Sequence, residues 1–139
     1  MLLLDTHAWL WTVEGDVRRV GRRSLRMIAA AAERDRVRVS AASVFEIVAL
    51  HTAGRLRLAL SPERWIEAAL ENSGVRLAEV SRDVSVDAGL IPRTALPDPL
   101  DRLLVATARQ LDATFLTADS DVLAYATRTA NVRVHELAR

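Results

Sequence analysis

The chain contains no cysteine and no lysine, and only five glycines and four prolines are spread over its 139 residues. Without cysteine, disulfides, thiolate metal sites and thiol nucleophiles are excluded, which fits a reducing compartment. No apolar run approaches the ~20 residues that a bilayer-spanning helix needs. Met1 leads straight into Leu2–Leu4 and Asp5 without a charged leader, a long apolar stretch or a cleavage site, so no signal peptide is expected. The chain therefore reads as soluble and cytoplasmic. Net charge is +1 with a pI near 8.5, so it is no polycation, and any contact with nucleic acid must come from a local basic patch. All 19 basic residues are arginine, whose planar fork of donors suits phosphate, although codon bias in a GC-rich genome would give the same composition. No repeat, low-complexity tract or linker interrupts residues 1–139, and the loop-like segment Pro92 to Pro99 is too short to separate domains. One domain is expected.

What is present is a sequence in which short apolar or alternating runs take turns with helical patterns. Leu2 to Leu4 read as a buried first strand, followed by a short helix over His7 to Val13 that Gly15 stops. A longer helix is expected over Val17 to Glu33. Val37 and Val39 mark a second strand, and a helix capped by Ser40 or Ser43 carries Phe45, Glu46, Ile47 and Leu50 as far as Gly54. Ser61-Pro62 opens the next helix, with Trp65, Ile66, Ala69 and Leu70 as its buried stripe. Val75, Leu77 and Val80 suggest a third strand, Ser81 to Leu90 a short helix, and Asp98-Pro99 the start of another. Ala113 to Thr117 is a fourth strand, Ser120 to Thr127 a short helix, and Val132 to His135 a closing edge strand. Strands alternating with helices imply an α/β fold with a mostly parallel sheet.

In such sheets, ligands bind beyond the carboxyl ends of the strands. Asp5 ends the first strand and Asp119 follows the fourth. Glu46 lies on the helix after the second strand, and Asp101 in the first turn of the helix leading into the fourth. Four carboxylates converging without a thiol are the donor set of a hard divalent cation such as Mg²⁺, which points to metal-dependent chemistry on a phosphate. Each also has an ordinary explanation. Asp5 could cap the His7 helix, and Asp98, before Pro99, reads mainly as an N-cap that could touch the metal through water. Asp119 and Asp121 are two apart, one of them a cap, with Asp119 nearer the strand end. Glu46 sits among Val44, Phe45, Ile47 and Val48, an apolar setting that a carboxylate tolerates when paired or metal-bound.

Taken together, the segments LLLDTHAWLW, SAASVFEI, DPLDRLLVATARQLDATFLTAD and NVRVHEL resemble a PIN domain, and more narrowly the VapC-type ribonuclease toxins of bacterial toxin–antitoxin pairs. The resemblance covers nearly the whole chain. It implies a three-layer α/β/α sandwich with a five-stranded sheet, RNA cleavage with Mg²⁺ or Mn²⁺ leaving 5′-phosphate and 3′-hydroxyl ends, a VapB-type antitoxin as partner, and a homodimer. Asp5, Glu46, Asp101 and Asp119 match the family's acidic positions, and Thr6, Ser43 and Thr117 match polar positions beside them. His7 matches none and reads as a polar residue in a first helical turn. Arg102, next to Asp101, is the expected RNA contact. Arg18, Arg19, Arg22, Arg23 and Arg26 could form a basic helix face or an ordinary solvated surface. Trp9 and Trp11 could stack on bases, pack in the core or anchor an antitoxin segment.

Two rivals remain within the fold: a housekeeping RNA-processing nuclease, and a binding module that has lost its chemistry, against which the full set of four acids argues. A haloacid-dehalogenase-type phosphatase also begins with a strand ending in aspartate. It needs a second aspartate where His7 stands, and a lysine.

Overall fold

Among the described residues, period-two and short apolar runs become five strands, and the amphipathic stretches between them become seven helices. The computed structural model describes residues 1–71 and 74–139. In chain order the elements are β1 (Leu2–Leu4), α1 (Thr6–Glu14), α2 (Arg22–Glu33), β2 (Val37–Ser40), α3 (Ala41–Thr52), α4 (Pro62–Glu71), β3 (Val75–Ala78), α5 (Arg82–Leu90), α6 (Pro99–Gln110), β4 (Thr114–Thr117), α7 (Ser120–Thr129) and β5 (Arg133–Glu136). The strands form one sheet in the order β3-β2-β1-β4-β5, and every pairing is parallel rather than mostly so. The central strand β1 pairs Leu2 with Val37 on one side and with Thr114 on the other.

Helices cover both faces of the sheet. Successive residues of a strand point to opposite faces, so Leu2 and Leu4 join one apolar cluster and Leu3 another. The first cluster packs Trp9, Val37, Val39, Ile28, Ile47 and Trp65 together. The second gathers Phe115, Leu104, Val105, Val122 and Tyr125. Burial on both faces explains why β1 is uniformly apolar, the expected mark of a strand inside a parallel sheet. Trp9 is fully buried and meets Trp65 edge-on, with ring centroids 5.3 Å apart.

Two expected boundaries move. The second helix starts at Arg22, not Val17, because residues 17–20 turn back on Asp16, whose carbonyl accepts from the Val20 amide. Gly21 then runs extended with its amide bonded to the Leu137 carbonyl, and a Cβ there would overlap the Arg139 backbone. The third strand stops at Ala78, so Val80 lies beyond it. No helix of the described residues is long and apolar enough to cross a membrane.

The strand order decides where a site can form. Connections run from β1 toward β2 and β3 on one side, and β4 and β5 lie on the other, so β1 and β4 flank the point where the winding reverses. Crevices open at the carboxyl ends of the strands at such a point.

Candidate active site: a carboxylate pocket at the β1/β4 crevice

A cavity of about 260 Å³ opens there, lined by Asp5, His7, Trp11, Glu46, Asp98, Asp101, Ala118 and Asp119. The four acids expected to converge therefore do so, and Asp98 joins them. Larger depressions lined by Asp83, Asp87 and Arg109 and by Asp121 and Arg128 mix acids with arginines instead.

Asp5 is fixed from two directions. It is the N-cap of α1, with Oδ1 accepting from the Thr6 amide at 2.7 Å. Its Oδ2 accepts from the Thr117 hydroxyl at 2.5 Å, across the β1–β4 pair. The same Thr117 oxygen accepts from the Asp119 amide at 3.0 Å, so one buried hydroxyl ties the two strand ends together. The capping role and the site role of Asp5 are thus compatible. Thr6 and Ser43 lie one layer further in: both are buried, and the Thr6 hydroxyl donates to Ser43 Oγ at 2.9 Å, joining α1 to α3 behind the pocket. Ser40, not Ser43, caps α3, its oxygen accepting from the Ala42 amide.

The paired acids separate cleanly. Asp98 caps α6 through its Oδ1 and stays exposed at the pocket's edge. Asp101, one turn in, is only 8% exposed and accepts no hydrogen bond. Asp119 caps α7 with Oδ1, which accepts from the amides of Asp121 and Val122, leaving Oδ2 uncommitted. Asp121 points away, exposed beside a different depression lined by Pro92 and Arg128.

The electrostatics follow from this crowding. Burial pushes the Asp101 carboxyl up to about 8, and Asp119, Asp98, Asp5 and Glu46 add to the shift. Burial also raises Asp5, against the hydrogen bonds from Thr117 and Thr6, which favour its charged form, while Glu46 and Asp119 push it further up. Among the described residues, none of the five pocket carboxylates forms an ion pair. The ion pairs involve other acids, among them Arg19 with Asp16, Arg76 with Asp35, Arg109 with Asp87 and Arg133 with Asp112. Carboxylates crowded into one pocket without ion pairs, with Asp101 buried among them, are costly unless a cation accompanies them. Oxygen donors without sulfur or imidazole-rich ligation suit Mg²⁺ or Mn²⁺. Among the described residues, no three acidic or histidine side chains already stand close enough to share one ion. Holding one would therefore require carboxylates of the pocket to move together on binding, and among the described residues no hydrogen bond restrains the Glu46 or Asp101 side chain.

Arg102 does not line the pocket. Its guanidinium reaches the Pro97 carbonyl at 3.4 Å, and its Nε is buried without a partner. Arg18 and Arg19 sit in the turn before α2, and Arg22, Arg23 and Arg26 on its exposed surface. The two tryptophans part company: Trp9 is core, whereas Trp11 borders the pocket, tilted 47° against His7 at 5.3 Å. His7 was legible only as a first-turn polar residue. Its i,i+4 spacing to Trp11 on a helix that starts at Asp5 was the signal that both would face the same opening.

The Thr117 hydroxyl gives a direct test of how Asp5 is held. Thr117→Val keeps the shape and removes the donor, and it is expected to weaken divalent-cation affinity by ~10–100-fold, as loss of a ligand's supporting hydrogen bond does. Calorimetric titration with Mn²⁺ checks this, and unchanged affinity would mean that Asp5 needs no such support.

Comparison with known proteins agrees with the fold. A family model described as "PIN domain" matches residues 2–128. Ribonuclease VapC22 of Mycobacterium tuberculosis is 31% identical over 119 residues, covering 85% of this chain and 86% of that protein. In solved structures, a chain of VapBC2 from Rickettsia felis bound to a DNA fragment from its promoter superposes with a TM-score of 0.68 at 14% identity, covering 96% of each chain. A chain of FitAcB from Neisseria gonorrhoeae gives 0.65 at 24% identity, covering 98% of this chain and 97% of that one.

Proposed function

The chain belongs to the PIN domain family, and from that footing we propose that it is a Mg²⁺- or Mn²⁺-dependent endoribonuclease serving as the toxin of a type II toxin–antitoxin pair. The observation that carries the reading is the pocket of five carboxylates, none of which is ion-paired with an arginine among the described residues. Similarity to a protein named as a ribonuclease supports the choice of RNA. Similarity to chains from VapBC and FitAB complexes supports an antitoxin partner.

Asp5, Glu46, Asp101 and Asp119 are the residues assigned to hold the metal, with Asp98 at the margin through water. A bound divalent ion supplies charge neutralisation at the scissile phosphate and a water acidic enough to attack it. Asp5 contributes a carboxylate whose orientation Thr117 and the Thr6 amide set in advance. Asp119 contributes one free oxygen while the other holds α7. Asp101 and Glu46 contribute carboxylates unrestrained by protein donors, so they can follow the change in charge as the phosphodiester reacts. Asp101, with its carboxyl raised to about 8, releases its proton when a cation arrives. No serine, threonine, tyrosine or lysine is among the residues that line the pocket, in keeping with direct attack by water.

Incubating total cellular RNA with the purified chain and Mg²⁺ or Mn²⁺ tests the reading, with EDTA and Asp5→Asn as controls. Discrete cuts that vanish in both controls are expected. Intact RNA in the presence of bound metal would overturn it. Growth arrest on expression, relieved by the product of a neighbouring antitoxin gene, separates a toxin from a housekeeping nuclease of the same fold.

A further inference from the structure

A pocket ringed by carboxylates repels the very polyanion it is meant to cut. Even a bound divalent ion leaves several negative charges facing the phosphate backbone, so the strand must be held by something other than the pocket floor. Beyond its Asp5 cap, α1 lines the pocket with rings rather than carboxylates. There His7 and Trp11, four residues apart, present two rings to the opening. The Arg19 guanidinium lies over the indole at 4.9 Å from its centroid. Its Nε faces Asp16 at 3.5 Å, and no hydrogen bond takes its terminal nitrogens. Gly15, in the left-handed conformation at φ 71°, turns the chain after α1 so that residues 16–19 fold back over the helix and bring Arg19 to Trp11. Trp11 is half-buried, which fixes the ring while leaving part of it open, and His7 is exposed.

We propose that His7, Trp11 and Arg19 form a ledge that holds the nucleotide flanking the cleaved phosphate: an unpaired base stacks on the rings, and the free Arg19 nitrogens take a neighbouring phosphate. This rests on the nuclease reading above and deepens it by naming the positioning residues. Stacking needs no charge, so it works beside the carboxylates, and every base has a face for it. The guanidinium over the Trp11 ring gives the phosphate a charged donor beside the stacked base. A base must be unpaired to lie there, so the ledge selects single-stranded RNA or loops over duplex.

The test uses Asp101→Asn as background, in which strands bind without being consumed. A labelled random-sequence pool of single-stranded RNA is titrated in Mn²⁺, following both label anisotropy and indole fluorescence. Trp9 and Trp65 are buried at 0% and 6% exposure, so quenching on binding reports Trp11. The expected results are quenching that disappears in Trp11→Phe and with a pool made abasic, and binding about tenfold weaker in Trp11→Leu, with a smaller loss in Trp11→Phe. Arg19→Gln, at an exposed position, is expected to weaken binding and to flatten its salt dependence. In the otherwise wild-type chain, Trp11→Leu raises KM and leaves kcat and Mn²⁺ affinity near the parent values. Parent-like RNA affinity in both Trp11→Leu and Arg19→Gln, or quenching that survives Trp11→Phe, overturns the ledge alone. A parent that binds Mn²⁺ but no RNA overturns the nuclease reading, and the ledge with it.

Discussion

Asp101→Asn is expected to abolish RNA cleavage and, in the same step, to stabilise the metal-free protein. The two effects have one origin. Asp101 is 8% exposed, accepts no hydrogen bond and shares its pocket with four other acids. Its carboxyl titrates near 8 in the fold against 3.8 for the free side chain. Because the folded value is the higher, the carboxyl's contribution to stability is complete below pH 3.8 and is lost as pH rises toward 8. Asparagine has the same shape and never ionises, so the variant escapes that loss. Its advantage should be absent near pH 4, grow through the neutral range and level off above pH 8. Activity is expected to move the other way, because the proposed reaction uses the carboxylate. Losing one such electrostatic partner costs roughly 10²–10³-fold in rate. Thermal melts in EDTA at pH 5 and pH 8, with cleavage assays alongside, check both halves. A variant less stable than the parent at both pH values would make Asp101 a structural carboxylate.

The second large effect concerns the parent chain and its cation. In EDTA, its melting temperature should fall between about pH 4 and pH 8, since Asp101 and Asp5 both hold protons more tightly folded than unfolded. A group between its two pKa values changes stability by up to ~1.4 kcal/mol per pH unit. For a chain of this size that is on the order of 4 °C per unit. Mg²⁺ or Mn²⁺ should remove most of this slope, because an ion that binds only the folded state stabilises it by mass action and displaces the protons. The rescue should therefore be larger at pH 8 than at pH 5. Calorimetry in two buffers of different protonation enthalpy would detect the released protons. Melts with the same pH slope in the presence and absence of Mn²⁺ would remove the pocket from consideration as a cation site.

Much of this architecture was legible because it rests on local rules. Leu2–Leu4 announce a buried strand, Asp98-Pro99 a helix start, and Gly15 a helix stop, whatever the rest of the chain does. The helix over Arg22–Glu33 was read as starting too early. Its true start depends on the Gly21 backbone meeting residues 137–139, a contact that no local pattern encodes. The all-parallel pairing could be argued from alternation, whereas the strand order could not.

The candidate site divides along the same line. Types and positions of the acids are sequence properties: Asp5 and Asp119 follow strand ends, Asp98 and Asp101 open a helix, and Glu46 lies in the second turn of the helix after β2. Their order along the chain was enough to suggest convergence and the family. Which partner each acid takes was decided only by tertiary packing. Thr117 reaches Asp5 because β4 lies beside β1, although 112 residues separate them. Asp119 faces the pocket and Asp121 does not, because α7 begins between them. Trp9 is core and Trp11 is rim, because adjacent helical positions two apart point to different sides once the helix is packed. Arg102 turns to Pro97 while Arg19, far from any acid of the site in sequence, reaches the rim through the fold-back after Gly15. Short-range sterics and patterning act through neighbours along the chain, and so can be read from it. Burial, charge compensation and cross-strand hydrogen bonds act through neighbours in space, and those exist only once the chain has folded.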